Sequence, residues 1–399
     1  MVEVASAPWQ RIVLIYLIGV FGMLVVSSAV PALGGIAEEF RPPSPATIGW
    51  VMSMPALAAA VSSLCVGWLV DRFGDRPMMV IGAILVILGD VGVVTAHGMN
   101  ALLACRVVGG LGYVCLVVGA VTMITRLTEG RQRTAALALW STVIPASFIL
   151  ASLYGLAVGP GAGWRMVFVA HAVGTGVLVL IGRVMLPAPV TVHGAARTTG
   201  LAQVLRTPWP FVLGMSFAAA AFLQTGFVAS LPGMLESSIG VTVEEVHSFN
   251  ILAMLCNVAG AFSFGLLYNR GMRPVHMGLG AVAACTVAGS VLVLAPTDLM
   301  VAMAMNCLLM AGLGVLVGMW SLLPLVAPSP ACMGATSGLI TQVTLLGVLF
   351  GPPAAFAARF ALPHGSMLFL GFGVVLSLIA WPIWRRETPA FGGPTPTAH

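Results

Sequence analysis

Two charged residues stand inside long apolar runs: Asp90, flanked by Gly89 and Val91, and Arg106, flanked by Cys105 and Val107. A charge at membrane depth costs several kcal/mol and marks a site of function by default. Asp90 lies seven residues before His97, where its run ends, and Arg106 lies five residues after Ala101, where the next run begins. At 1.5 Å per helical residue both sit about 8–10 Å below the same surface. Sequential antiparallel helices would bring them within reach of an ion pair. Two chemistries follow. Either the pair is structural and each charge neutralises the other, or Arg106 binds an anionic group of a solute, with Asp90 as its resting partner or as a proton carrier. His171 lies in a later apolar run, and its imidazole suits a proton relay as well as a packing role.

Other polar and polarisable positions extend this set by helical spacing. Tyr113 is seven residues from Arg106, on the same stripe. Tyr16 and Ser27 fall in the first run, Gln224 and Phe227 in the seventh, and Asn306, Met310 and Trp320 in the tenth. Each is a candidate for solute contact, weighed against the commoner use of such residues as glue between helices. The seven cysteines fall inside or beside apolar runs without metal-ligand spacing, which reads as packing. No metal or cofactor is expected.

The elements that position these residues follow from composition. Hydrophobic residues make up 59% of the 399-residue chain and charged residues only 7%, against about 25% charged in a soluble domain. Lipid must be the solvent. The net charge of +5 comes from arginines spread over short loops, with no lysine anywhere, so nucleic acid is not an expected partner. Twelve runs are long enough to span a bilayer, at approximately 11–33, 48–70, 77–97, 101–125, 134–159, 164–186, 209–231, 246–268, 275–295, 299–326, 332–359 and 366–384. The first is too long for the apolar core of a signal peptide, about 7–15 residues. Thirteen arginines fall in the terminal segments and even-numbered loops, while only Arg41, Arg165 and Arg359 fall opposite. The arginine bias therefore predicts cytoplasmic termini.

The turn from Gly67 through Asp71, Arg72, Gly74 and Arg76 to Pro77 returns half a chain later as Gly265, Asn269, Arg270, Gly271, Arg273 and Pro274. A repeat at half-length predicts two homologous halves. We expect an all-α integral membrane protein with six-helix bundles at 1–186 and 209–386, a cytoplasmic linker at 187–208 and a disordered tail at 387–399. Gly67, Leu69, Asp71, Arg72, Gly74 and Arg76 resemble the first signature of the major facilitator superfamily, and Arg106, Gly110 and Gly112 resemble its fourth-helix signature. The antiporter-type G-x-x-x-G-P signature is absent from the fifth run. A similar pattern appears instead at Gly347, Gly351 and Pro352.

The resemblance implies a cavity lined by helices 1, 4, 7 and 10. It also implies a latch in which Asp71 faces the start of helix 11 after Ser329-Pro330, with Arg126, Arg131 and Arg133 as ionic neighbours. Asn269 in the second copy makes that latch asymmetric. The leading expectation is a secondary active transporter of a small organic solute, working as a monomer in the cell membrane and coupled to protons. With no acidic residue from Ile12 to Leu33 and one embedded arginine, the solute leans towards a carboxylate-type anion. The alternative is efflux of a drug-like or siderophore-like molecule, suited to a chain with 22 methionines. A non-transporting sensor is a remoter reading. No nucleophile–base set appears in the runs, so an enzyme is not expected.

Overall fold

The computed structural model describes residues 8–44, 46–158, 163–187, 198–294, 298–328, 333–361 and 364–385. Among these residues the chain is helical, with no strand. The spans are α1 (Trp9–Ser27), α2 (Ala46–Phe73), α3 (Asp75–Thr95), α4 (Met99–Leu127), α5 (Gly130–Trp140 and Val143–Val158), α6 (Arg165–Met185), α7 (Pro208–Ile239), α8 (Val243–Asn269), α9 (Pro274–Val293), α10 (Leu299–Gly318), α11 (Met333–Ala361) and α12 (Gly365–Ser377, continued through Trp381–Trp384). Short helices at Leu33–Phe40 and Thr198–Leu205 follow α1 and α6.

Eleven of these helices are long and apolar enough to cross a membrane. The expected fifth span is instead broken at Ser141-Thr142. Pro145 explains the break, because it has no N–H for the Ser141 carbonyl four residues earlier and its ring crowds that carbonyl. Pro31 has the same relation to Ser27, where α1 stops before a 3-10 turn at Val30–Ala32. Pro55 and Pro352 sit inside continuous helices. There the orphaned carbonyls, Val51 and Val348, are met by side chains from neighbouring helices: Arg106 Nε at 2.9 Å and Ser53 Oγ at 3.4 Å.

Packing repeats with an offset of six helices. Helix α2 packs on α4 as α8 does on α10, α3 on α4 as α9 on α10, and α1 on α5 as α7 on α11. Glycines set the closest approaches, as is usual between helices in lipid. A Cβ on Gly82 or Gly112 would collide with the facing backbone between α3 and α4, and one on Gly260 or Gly314 would do so between α8 and α10. Gly347 and Gly351 lie against the Ala218 and Phe222 backbone of α7, so the displaced glycine pattern packs α11 on α7. The repeated turn reappears in the backbone. Gly74 has φ 91° and Gly271 has φ 87°, a conformation that glycine adopts without a Cβ penalty. The second copy is one residue shorter, and both turns end on a helix that starts at or just before a proline.

The two repeats meet through α2 on α11 and α5 on α8. Near the ends remote from the arginine-rich turns, Gly49 abuts Pro352 and Pro353, Gly155 abuts His247, and Asn250 Nδ2 donates to Ser152 Oγ at 3.0 Å. Further along α2, Gln342 Nε2 donates to the Ala60 carbonyl at 2.8 Å. Thr242 caps α8 beside this seam. Its backbone N–H and hydroxyl each lie 2.8 Å from Glu245 Oε2 and hold that carboxyl below its usual range.

Candidate functional site

Arg106 is 1% exposed on α4. Its Nε donates to the Val51 carbonyl of α2, and its Nη2 donates to the Val25 carbonyl in the last turn of α1. Both acceptors are available for a reason written in the sequence. Pro55 leaves Val51 without its helical donor, and at the end of α1 the Ala29 N–H turns to Val26. The guanidinium also lies 5.3 Å from the centre of the Phe168 ring of α6, a cation–π contact that strengthens when desolvated. One turn on, Gly110 lets α4 approach α2 at Pro55. The R-x-x-x-G spacing therefore has a local account: the arginine claims the carbonyl that the proline frees, and the glycine admits the proline.

Asp90 is not within ion-pair distance of Arg106. Its near partner is His171 of α6, with Nδ1 2.8 Å from Oδ2. Both side chains are buried, and the contact is off the line of a straight hydrogen bond, so neither atom has an aligned partner among the described residues. The other ring nitrogen, Nε2, lies 2.9 Å from the Phe21 carbonyl of α1. The Phe21 ring stacks near the imidazole with centroids 6.2 Å apart. Arg106 and the Tyr154 phenol of α5 lie within electrostatic range of Asp90. His171 and Arg106 thus touch carbonyls one turn apart, Phe21 and Val25, on the helix that breaks three residues later.

Beside the charged turn, the described residues pair through Asp75. Asp75, which the sequence reading did not single out, is 3% exposed and takes two bonds from Arg126, Nε to Oδ2 at 2.8 Å and Nη2 to Oδ1 at 3.3 Å. It also accepts from the Arg76 N–H at 2.8 Å, at the start of α3, where a carboxylate suits the helix dipole. Arg76 donates from Nη2 to the Arg183 carbonyl at the end of α6, and Arg133 Nε donates to the Thr128 carbonyl at 2.8 Å. Arg72 lies over the Phe73 ring. Gly67 has open space around it, and Arg270 and Arg273 are exposed. The side chains of Asp71, Arg131 and Asn269, and the Ser329-Pro330 cap, lie outside the described residues.

Most solute-contact candidates join helices. Tyr16 Oη is 2.9 Å from Thr142 Oγ1 at the break in α5, and Ser27 Oγ donates to the Ser147 carbonyl at 3.0 Å. Tyr113 is buried. Gln224 Nε2 faces Met254 Sδ at 3.7 Å, Phe227 meets Phe369 edge-on, and Trp320 stacks on Phe217. The Met310 carbonyl accepts from Asn257 at 2.9 Å. Asn306 differs: its Oδ1 is buried without a partner among the described residues, and it lines a small cleft with Val228, Leu231, Leu235, Phe249 and Asn250. The sequence reading passed over Asn250, Ser152 and His247, because their pairing across the two repeats has no local signal.

Comparison with known proteins places this arrangement in a family. A bacterial homologue of the human lysosomal transporter Spinster, in an inward-facing and unoccupied conformation, matches with a TM-score of 0.73 at 18% identity, covering 95% of this chain and 97% of that one. Among relatives by sequence, an uncharacterised MFS-type transporter of Mycobacterium tuberculosis is 33% identical over 176 residues, 44% of this chain and 30% of that protein. The arabinose-proton symporter of Escherichia coli is 30% identical over 138 residues, 35% and 29% of the two chains. The quinolone resistance protein NorB of Staphylococcus aureus is 29% identical over 123 residues, 31% and 27%. The matched stretches thus span less than a third of each of these relatives. A family model described as Major Facilitator Superfamily matches residues 15–352. With that match over most of its length, and a repeated helical scheme of the same fold, the chain belongs to the Major Facilitator Superfamily.

Proposed function

We propose that this protein is a secondary transporter that moves a small organic solute across the cell membrane by alternating access, driven by a proton gradient. On this reading 1–186 and 209–386 are the moving halves, 187–208 is the linker, and both termini are cytoplasmic. The observation that carries the reading is where the repeats touch. Gly49 on Pro352-Pro353, Gly155 on His247 and Asn250 on Ser152 close the end remote from the arginine-rich turns. Contacts at one end are what a rocking carrier holds in one of its two states. Asn306, with its unpartnered Oδ1 beside that seam, remains the strongest solute contact among the candidates.

The geometry favours a weakly polar, drug-like solute over the carboxylate expected from the embedded arginine and the first run without an acidic residue. Arg106 has two donors committed to backbone carbonyls and its face on Phe168. An anion would have to displace them and leave the buried Val51 carbonyl bare. The anion reading keeps one supporting observation, that Arg106 is the one fully buried arginine among the described residues. Flux into proteoliposomes, measured for neutral, cationic and carboxylate solutes with and without an imposed pH gradient, tests the proposal. Gradient-dependent uptake of neutral or cationic compounds is the expected result. Uptake restricted to carboxylates would reverse the choice of solute, and no flux of any class would remove the transport reading.

A further inference from the structure

The imidazole of His171 faces two oxygens at once. Nδ1 is 2.8 Å from the Asp90 carboxylate and Nε2 is 2.9 Å from the Phe21 carbonyl. A neutral imidazole carries one N–H. It can serve Asp90 or Phe21 but not both, and the remaining nitrogen would point a lone pair at an oxygen. The 2.8 Å approach of Nδ1 to the carboxylate, although off the line of a straight hydrogen bond, sets a ring nitrogen against an oxygen while Nε2 is engaged by Phe21. That approach is free of lone-pair repulsion only when the pair holds one additional proton, either as imidazolium with carboxylate or as neutral imidazole with carboxylic acid. We infer that Asp90 and His171 together form a proton-binding site, and that its proton ties α6 to α1 at Phe21. This inference rests on the proposed coupling to protons and names the site and the element it acts on.

The step balances simply. Loss of the proton to water leaves one N–H on the ring. An ionised carboxylate is a stronger acceptor than a backbone carbonyl, so the remaining proton goes to Nδ1 as the ring turns to align with Asp90. Nε2 then presents a lone pair to the Phe21 carbonyl, and that contact is lost. The tie lies one turn before Val25, which Arg106 holds, and less than two turns before the break at Ser28-Ala29.

The charged and titratable groups facing the pair from its neighbours are few. They are Arg106 of α4 and Tyr154 of α5. Tyr16 of α1 is bound to Thr142, and Arg165 at the start of α6 is bound to Glu39. Arg106 keeps its charge throughout, so it biases the pair without titrating with it. Proton binding favours the tied form of α1 seen here.

Backbone hydrogen exchange of residues 21–33, measured by mass spectrometry on the purified protein from about pH 5 to about pH 9 and corrected for intrinsic rates, tests this. Protection should be greatest at acid pH and fall about tenfold as pH rises, the effect of one hydrogen bond. In Asp90→Asn the amide donates to Nδ1 and leaves the proton on Nε2, so the segment should stay protected at every pH. His171→Gln should also abolish the pH step, and it serves if Asp90→Asn does not fold. A flat wild-type profile, or an unchanged step in either variant, overturns the inference. Proton-driven flux with a flat profile would sink this site and leave the transport reading standing. A clear step in a protein that moves no solute would do the reverse.

Discussion

At the scale of residues, the buried charges are accounted for by what the backbone leaves unsatisfied. Arg106 is held by two carbonyls that a proline and a helix end release, and the near partner of Asp90 is an imidazole rather than Arg106. Replacing Arg106 by Met should therefore destabilise the protein by about 1–3 kcal/mol, the cost of a bare buried carbonyl at Val51, since the Val25 carbonyl keeps the Ser28 hydroxyl at 3.4 Å, as read by thermal denaturation in detergent. Pro55→Ala would return an N–H to the Val51 carbonyl. In that background the same substitution should cost about 1 kcal/mol less, a coupling measured by the double-mutant cycle. Equal costs in both backgrounds would contradict the role assigned to Arg106. The presence of both charges was legible from sequence because charges in apolar runs are rare. Their partners were not, because Phe168, His171 and the carbonyls of α1 and α2 reach the site only through tertiary packing.

At the scale of elements, glycines decide how closely helices approach. A Cβ on Gly347 would strike the Ala218 carbonyl, and one on Gly260 the Ala311 carbonyl, whereas Gly67 and Gly265 have open space. Gly347→Ala and Gly260→Ala should each lower the melting temperature markedly, by at least the few kcal/mol typical of overpacking. Gly67→Ala and Gly265→Ala should be neutral or stabilising by up to about 1 kcal/mol, since alanine is the better helix former. Similar losses in all four would contradict close approach as the reason for these glycines, because helix propensity alone favours alanine. Eleven helices stand where apolar runs predicted them. The fifth broke because hydropathy counts Pro145 only as one more uncharged residue, while the backbone registers its missing N–H. The repeated turn foretold the doubled packing scheme. The partner of Arg126 was not legible because the turn carries two carboxylates, Asp71 and Asp75, and only packing shows that Asp75, at the first position of α3, meets α4.

At the scale of the whole molecule, the central claim is that the two repeats rock about a site between them, closing one end as they open the other. The seam described here is built from small contacts: side-chain hydrogen bonds from Asn250 to Ser152, from Gln342 to the Ala60 carbonyl and from Ser53 to the Val348 carbonyl, and glycines against His247 and prolines. Such a seam can part at modest cost, and a difference of a few kcal/mol between two states keeps both populated. The direct measurement is a pair of spin-label distances in a background without native cysteines. One pair, on the exposed positions Leu156 and Ser248, spans the repeats at the seam. The other, on the exposed positions Phe73 and Met272, spans them at the arginine-rich turns. Across a pH series in liposomes, the account predicts two populations at each end, with the short distance at one end matched by the long distance at the other. Single, unchanging distances at both ends under every condition would contradict it.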